Sequence, residues 1–193
     1  NILVMKRLYT ITLIVFCLFT SKAQNVYIPS AEFKSLLVNQ ICADTNDDGI
    51  LDNDVDTNND GEIQVGEALA VTNLNTLNNP LGNINGINAF ANLKSLVCNN
   101  NSIQFFSIVG LTNLKSLDCS SNAIYSITLT GLSQLETLNC SNNELMSVLN
   151  FSGLNNLKNL NCSRGRIVNL NVSNYPALET LNFSGNQVAN ITV

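Results

Sequence analysis

The densest group of chemically active side chains in this 193-residue chain is a run of carboxylates from Asp44 to Glu67. Nine of the fourteen Asp and Glu residues lie in this run, and no Lys or Arg occurs between Lys34 and Lys94. So much negative charge without basic neighbours indicates a site for a cation more often than a merely solvated surface. Nucleic acid is a poor partner for the chain, because the sequence contains no basic stripe.

The second half of this run has the residue spacing of an EF-hand calcium loop. Asp56 begins the twelve-residue pattern, Gly61 stands at the sharp turn at position 6, and Ile63 can anchor the loop to a core. The pattern needs side-chain oxygens at positions 1, 3 and 5, a backbone carbonyl at position 7 and a bidentate carboxylate at position 12. The alternative is a charged loop that matches by chance. The predicted Ca²⁺ ligands are Asp56, Asn58, Asp60, Glu62 and Glu67.

Twelve residues earlier, the first half of the same pattern occurs again. Its position 12 is Val55, so the bidentate carboxylate is missing there. Such a loop can still bind an ion if a nearby Asp replaces the missing ligand, as in tandem thrombospondin type 3 repeats. The sequence leaves open whether a second ion binds. The candidate ligands are Asp44, Asn46, Asp48 and Asp52.

Four cysteines recur at one register of a repeated segment. They are Cys98, Cys119, Cys140 and Cys162, and Phe183 takes the same place in the last copy. A zinc site would need paired Cys or His spacing, and the chain contains no His. Disulfides are the other alternative, but side chains on adjacent parallel strands point the same way and bridge poorly. We therefore expect a column of buried thiols, with Cys42 standing apart.

The elements that position these residues follow from the repeat. Five copies of L-x-x-L-x-(C/F)-x-x-(N/G)-x-(I/L/V) are spaced by 21, 21, 22 and 21 residues, and a weaker copy starts at Val71. Positions 1, 4, 6 and 11 should point inward, because one turn of about 21 residues cannot bury its apolar face without stacked neighbours. The copies begin at Leu93, Leu114, Leu135, Leu157 and Leu178.

Other positions of the repeat carry further expectations. Position 9 is Asn in every copy except at Gly165, so we expect a ladder of Asn side chains that hydrogen-bond backbone groups, with one rung unpaired or watered at the glycine. The convex side should be mostly coil and 3₁₀ helix, with short extended pieces. Apolar side chains return there at position 14: Ile84, Phe106, Ile127, Val148, Leu170 and Ile191.

Residues 1–70 have a different composition. Met5 to Ala23 has a basic start, an apolar run and small residues before Gln24, which predicts a secretory signal peptide over 1–23, with 1–4 an upstream extension. A membrane anchor is the alternative, although the apolar run is short for a span of about 20 residues. Residues 24–70 should cap the solenoid: Ser30 begins a helix with Phe33, Leu36, Leu37 and Ile41 on its apolar face, and the calcium loops follow.

With these motifs in place, the chain resembles secreted leucine-rich-repeat proteins of Gram-negative bacteria. The resemblance rests on Ile28-Pro29 with Phe33-Lys34, on Asp56 to Ala68 and on the L-x-x-L-x-C-S-x-N turns, and covers most of residues 24–193. Internalin-like solenoids are more distant relatives. The resemblance implies an α/β solenoid with short parallel strands on its concave face. It also implies a surface or secreted binding module, incomplete at its C-terminal end.

The predicted function is non-catalytic binding of an extracellular protein or glycan by the concave face. Outward positions 3, 5 and 7 of each strand read as small polar residues, mostly Ser, Thr and Asn. They lack the Trp, Tyr and Arg anchors common at protein interfaces, so a structural spacer or targeting region of a larger secreted protein remains the alternative. That larger protein could be an enzyme with its catalytic domain elsewhere. Asn139, Asn161 and Asn182 lie in N-x-S sequons, and their glycosylation depends on the source.

The calcium assignment generates a first prediction. Chelation by EGTA should lower the melting temperature and increase hydrogen exchange in residues 25–70, because bound calcium would hold the cap on the first turn. Thermal melts with and without EGTA, joined to exchange mass spectrometry, measure both effects. An unchanged melt in EGTA would contradict a structural role for calcium.

Overall fold

The computed structural model describes residues 24–192, so the leader predicted over 1–23 lies outside the described part. Helix α1 and strand β1 precede helix α2, and eleven further strands follow. No helix within the described residues is long and apolar enough to cross a membrane. The bounds are α1 Ala31–Asn39, β1 Ala43–Asp44, α2 Val65–Ala70, β2 Asn73–Asn75, β3 Ser95–Val97, β4 Phe105–Val109, β5 Ser116–Asp118, β6 Ser126–Thr130, β7 Thr137–Asn139, β8 Val148–Ser152, β9 Asn159–Asn161, β10 Asn169–Asn171, β11 Thr180–Asn182 and β12 Asn190–Thr192.

The strands form three sheets that follow the repeat. The front sheet has the order β1-β2-β3-β5-β7-β9-β11, and every pair in it is parallel except the antiparallel pair of β1 and β2. The remaining strands form a back sheet of order β4-β6-β8 and a two-stranded sheet of β10 and β12. Each parallel pair joins equivalent residues of successive turns, as in the pairing of Leu96 with Leu117.

Inward side chains of successive turns stack into columns that form one core. The leucines at position 4 are buried from Leu74 to Leu160, and Cys98, Cys119, Cys140 and Cys162 are fully buried at position 6. The last turn has no following turn in the described chain, and Phe183 is 36% exposed at the same position. Repetition, parallel pairing and columnar burial identify the architecture. The fold is a leucine-rich-repeat solenoid.

The return side of the turns is more regular than the sequence predicted. The expectation was mostly coil and 3₁₀ with short extended pieces, whereas the extended pieces pair into parallel sheets and one 3₁₀ helix, Ile87–Ala89, occurs among the described residues. Alternation explains this pairing: Phe106 and Ile108 of β4 are buried, whereas Phe105 and Val109 are exposed. An alternating apolar pattern suits a half-buried strand.

The Asn ladder is present. The Asn122 amide nitrogen donates to the carbonyls of Cys119 in its own turn and Cys98 in the preceding turn, at 3.1 and 3.0 Å. Its carbonyl oxygen accepts the N–H of Ile103 in the preceding turn at 3.0 Å. Asn101 and Asn143 repeat this pattern. Each of these three Asn side chains therefore joins two turns and pairs backbone groups that the bend would otherwise leave buried and unsatisfied. Asn79 in the first turn bonds carbonyls of its own turn instead.

The turn that begins at Leu135 differs from the sequence-based register by one residue. The repeat pattern places Leu145 at inward position 11, but Leu145 is 48% exposed and Met146 is fully buried in its place. The position-14 assignment shifts as well, since Leu149 and not Val148 pairs with Ile127. The extra residue of the 22-residue spacing thus lies between Asn143 and Met146, where the chain bulges outward before it resumes the repeat.

Gly165 stacks directly on this bulge in the next turn. A Cβ atom at Gly165 would lie 2.9 Å from Asn186 Oδ1 and 3.1 Å from the Met146 carbonyl oxygen. Other groups form hydrogen bonds at the missing rung. The Met146 N–H donates to the Asn143 carbonyl, and Asn186 Oδ1 accepts the N–H groups of both Gly165 and Ile167. The rung expected to be unpaired is therefore bridged by protein groups, and glycine is required there by lack of space.

The N-terminal residues cover the first turn. Ser30 Oγ accepts the Phe33 N–H at 3.2 Å and begins α1, whose Phe33, Leu36 and Leu37 are buried. The assignment of Ile41 to the apolar face is wrong, since Ile41 lies beyond the end of α1 and is 72% exposed. Strand β1 adds an antiparallel edge to β2 and so closes the front sheet at this end.

The contact between Gly165 and Met146 predicts that the consensus residue is harmful at this position. Gly165→Asn should lower the free energy of unfolding by about 1–3 kcal/mol, because the added side chain overpacks against backbone. Deleting Leu145 in the Gly165→Asn variant should recover much of the lost stability. The deletion removes the extra residue of the bulge, so the new Asn side chain can join the ladder. Urea unfolding measures each variant. Gly153→Asn is the control, since a Cβ atom there meets open space at a positive φ that Asn tolerates; equal losses at both glycines would refute the bulge explanation.

Candidate functional site

The two acidic loops have the same left-handed backbone at two equivalent positions. Asp47 and Asn59, both at position 4, have φ values of 64° and 58°. Gly49 and Gly61, both at position 6, have φ values of 86° and 82°. Asn, Asp and above all Gly adopt this left-handed region at low cost, which explains why the sequence repeats them there. The resemblance between the loops is therefore structural as well as sequential.

Asp56 is the buried centre of the second loop. The residue is 1% exposed, and its carboxylate accepts the N–H groups of Asp60 at 3.1 Å and Gly61 at 2.7 Å. Further along the loop, Asn58 Oδ1 accepts the Asp60 N–H and Asp60 Oδ1 accepts the Glu62 N–H, both at 2.9 Å. These bonds place three predicted ligands on the inner side of one tight turn.

Glu67 ties the loop to helix α2. Gln64 is the N-cap of α2, and Glu67 Oε2 accepts the Gln64 N–H at 2.9 Å in a capping box. Glu67 Oε1 accepts the Asn58 N–H at 3.2 Å and the Thr57 hydroxyl at 2.9 Å. The carboxylate is 9% exposed. It therefore links the beginning and the end of the loop, as the predicted position-12 ligand must.

Gln64 is a site residue that the sequence analysis missed. Its amide nitrogen donates to both Asp60 carboxylate oxygens, at 3.1 and 3.0 Å, and its Oε1 accepts from Asn58 Nδ2 at 2.7 Å. Gln64 stands at position 9, which contributes to calcium loops often through water, so the loop pattern could have identified it. The remaining predicted ligand, Glu62, pairs its side chain with Lys34 at 2.7 Å, so the loop pattern would use its backbone carbonyl.

The first loop is built into the front sheet. Asp44 lies in β1, is fully buried, and accepts the Gly49 N–H at 2.9 Å and Asn73 Nδ2 at 2.6 Å. Burial of the Asp44 carboxylate opposes its ionisation, but these and other hydrogen bonds outweigh burial and lower its pKa. Asn46 and Asp48 are exposed and bonded to each other at 3.0 Å.

The closing side of the first loop is different. Asp52 is exposed and accepts from Asn53 Nδ2 at 2.6 Å. At position 12, Val55 is fully buried in the core. The two loops thus share their first halves, and the second loop alone has a carboxylate at position 12.

The donor set of the second loop fits a hard cation, because every donor that the pattern uses is an oxygen atom. Burial raises the pKa of Asp54, and the negative charges of Asp56 and Glu67 raise it further. This repulsion is the kind that a divalent cation relieves. Within residues 24–192, however, no three Asp, Glu, Cys or His side chains converge closely enough to form a metal site by themselves. The Asn and carbonyl oxygens would have to complete the ligand set.

The cysteines of the column pack in the core as apolar side chains. Five free cysteines, Cys42 and the four of the column, are buried in the described chain. Burial raises the pKa of Cys162 to about 11 and that of Cys42 to about 12. At Cys119 and Cys140, burial raises the pKa far above the ordinary thiol value, and neighbouring cysteines add to the shift. A thiol that does not ionise is a poor nucleophile and a poor metal ligand.

A groove of about 350 Å³ crosses the front sheet over β7, β9 and β11. In its wall, Asn161 Oδ1 accepts both the N–H and the hydroxyl of Ser163, the latter at 2.8 Å, and Ser184 bonds Asn182 in the same way at 2.9 Å. Asn161 and Asn182 both line the groove, and their amide NH₂ groups donate to no protein atom among the described residues. The groove therefore offers a row of free hydrogen-bond donors.

No protein-family model matches the chain. A search of curated proteins also finds no match. Among solved structures, the chain is similar to the leucine-rich repeat domain of LRIM1, with a TM-score of 0.48, 19% identity, and coverage of 66% of this chain and 49% of that chain. It matches the LRIM1/APL1C complex with the same TM-score and identity, covering 66% and 32%.

The functional domain of InlJ from Listeria monocytogenes, whose structure is described as including a cysteine ladder, is also similar. The TM-score is 0.38 at 19% identity, with coverage of 88% of this chain and 45% of that chain. The chain thus spans 32% to 49% of the length of these chains.

The geometry of Glu67 predicts a structural effect that needs no metal. Glu67→Gln should lower the free energy of unfolding by about 1–3 kcal/mol, since one charged acceptor that holds both ends of the loop is lost in a buried setting. Urea unfolding in EGTA excludes any contribution from calcium. Glu62→Gln is the matched control, because that side chain makes one half-exposed ion pair and should change stability little; an equal loss at both positions would refute the bridging role.

Proposed function

We propose that this chain is a non-catalytic binding module, secreted or displayed at a cell surface, that holds an extracellular protein or glycan on its front sheet. The observation that carries the proposal is the groove over β7, β9 and β11 with the free amide donors of Asn161 and Asn182. Its volume of about 350 Å³ falls within the range of about 300–1,000 Å³ that is usual for ligand sites.

The groove favours a ligand rich in oxygen acceptors. Thr137, Asn139, Asn159 and Thr180 line it together with the two free amides, and no charged side chain does. Hydroxyl and carbonyl oxygens of a glycan or an extended peptide backbone would pair with such donors. Rigid strands hold the donors in place, so binding would cost little ordering of the protein.

A calcium ion in the second loop would support this role by stabilising the cap. When bound, it supplies positive charge among Asp56, Asp60 and Glu67. The loop is joined to the chain's first described residues, because Val65 N–H donates to the Gln24 carbonyl and Val26 N–H to the Ile63 carbonyl, at 2.8 and 2.7 Å. Loop order and cap order are therefore coupled. An extracellular module in a calcium-rich medium suits dissociation constants on the order of 10⁻⁴–10⁻³ M.

The absence of a catalytic role is part of the proposal. The carboxylates of the repeats are few, and Asp118 is occupied by Ser120 and Asn139, at 2.6 and 3.1 Å. Glu136 is paired with Lys158 at 2.7 Å. The dense carboxylates belong to the two loops. General acid–base catalysis needs a positioned group with a tuned pKa beside a substrate pocket, and the groove over β7, β9 and β11 is lined by none.

The test places a large charged side chain in the groove. Thr137→Arg should reduce binding at least tenfold, because Thr137 is exposed on β7 and its side chain lines the groove. Residues 24–193 are applied, in calcium, to a glycan array and to cell-surface pull-down. The same substitution at Thr128, exposed on β6 of the back sheet, is the control and should leave binding unchanged.

Binding that survives Thr137→Arg would place the ligand elsewhere. Silence in both assays, with an unchanged melting temperature, would overturn the binding role in favour of a structural spacer.

A further inference from the structure

A second groove, distinct from the front-sheet groove, lies where the turns enter the front sheet. It has a volume of about 430 Å³ and is lined by Lys94, Thr112, Asn113, Lys115, Ser133 and Gln134. We call it the lysine cleft. No Asp or Glu lines it, although acidic residues outnumber basic ones by fourteen to nine in the chain.

The repeat places the two lysines next to each other in successive turns. Both stand at position 2, in successive turns, and the Lys115 N–H donates to the Lys94 carbonyl at 2.8 Å. Both side chains line the cleft. Each also has an acidic neighbour: Lys94 is ion-paired with Asp47, and Glu136, the next residue of the column, has its pKa lowered mainly by Lys158 and in part by the charge of Lys115. Farther along the same column the charges alternate, and Lys158 is paired with Glu136 at 2.7 Å.

The cleft has unused donors. Lys94 spends one donor on Asp47, which leaves two of its three N–H groups. Lys115 makes no ion pair among the described residues. The hydroxyls of Thr112 and Ser133 and the amide of Gln134 have no protein partner within residues 24–192. Asn113 is fixed by its bond to the Ala91 carbonyl at 3.1 Å.

We infer that the lysine cleft binds an anionic carbohydrate, with a uronic-acid carboxylate between Lys94 and Lys115 and sugar hydroxyls on Thr112, Ser133 and Gln134. The two ammonium groups provide the charge, and hydroxyl and amide groups match a ligand whose remaining surface is hydroxyl. An acidic peptide fits less well, because the cleft has no aromatic or large apolar side chain to hold its side chains. The charge that attracts the anion is local, since the chain as a whole is negatively charged.

The proposal is tested by titrating residues 24–193 with galacturonic-acid oligomers in a calorimeter. The matched probes are neutral galactose oligomers of the same length and an oligoglutamate peptide. Uronic-acid oligomers should bind at least about tenfold more tightly than the neutral ones, and binding should weaken as salt rises, since exposed charges are screened. Lys115→Gln should reduce affinity about fivefold or more.

Lys158→Gln is the control, because Lys158 belongs to the same column but does not line the cleft. It should leave uronic-acid binding unchanged, as should Thr137→Arg in the front-sheet groove, which separates this site from the proposed function. Equal binding of neutral and acidic oligomers, stronger binding of oligoglutamate, or equal losses in Lys115→Gln and Lys158→Gln would each overturn the proposal. Thermal melts of the variants establish that each is folded.

Discussion

The whole molecule depends on one constraint: a turn of this length cannot bury its own apolar side chains. Each inward residue is covered by its equivalents in the turns before and after, which is why burial is nearly complete at Leu96, Leu117 and Leu138 and incomplete at Leu181 in the last described turn. The turns at the ends of the stack therefore need another cover for their apolar side chains. At the N-terminal end, helix α1, strand β1 and the acidic loops cover the first turn.

The polar counterpart of this apolar stacking is the Asn ladder. Because the ladder side chains of Asn101, Asn122 and Asn143 each bond two turns, a disturbance in one turn affects the next. The bulge before Met146 is an example. It places the Met146 carbonyl oxygen next to Gly165, where it leaves no room for a side chain. Two irregularities that look independent in the sequence, a 22-residue spacing and a missing Asn, thus have one physical cause.

The negative charge of the acidic segment lies outside the stacked turns and so outside their apolar core. Its loops point their carboxylates at backbone N–H groups while Val55 and Ile63 enter the core beneath them. The same segment can therefore cover apolar surface and present oxygen ligands. The front sheet uses another solution: its Asn and Ser side chains pair with each other and leave selected amide groups free. In both arrangements polar side chains pair with protein groups, whereas the buried Oδ1 of Asn99, just after β3, has no hydrogen-bond partner among the described residues.

Much of this protein was determined by the sequence alone, because the repeat is periodic and periodicity specifies which residues share a face. The stacked columns at positions 4 and 6, the Asn ladder, the capping Ser30 and the two homologous loops all follow from spacing. Tertiary structure decided what spacing cannot express. Packing between turns decides which residue of the bulge enters the core: Met146 is buried, and Leu145 is exposed. The parallel back sheets depend on pairing between turns, and Ile41 is exposed because α1 ends before it. The free donors at Asn161 and the adjacency of Lys94 and Lys115 at one cleft exist only once the turns are stacked, since each is a relation between neighbouring turns and not a property of one.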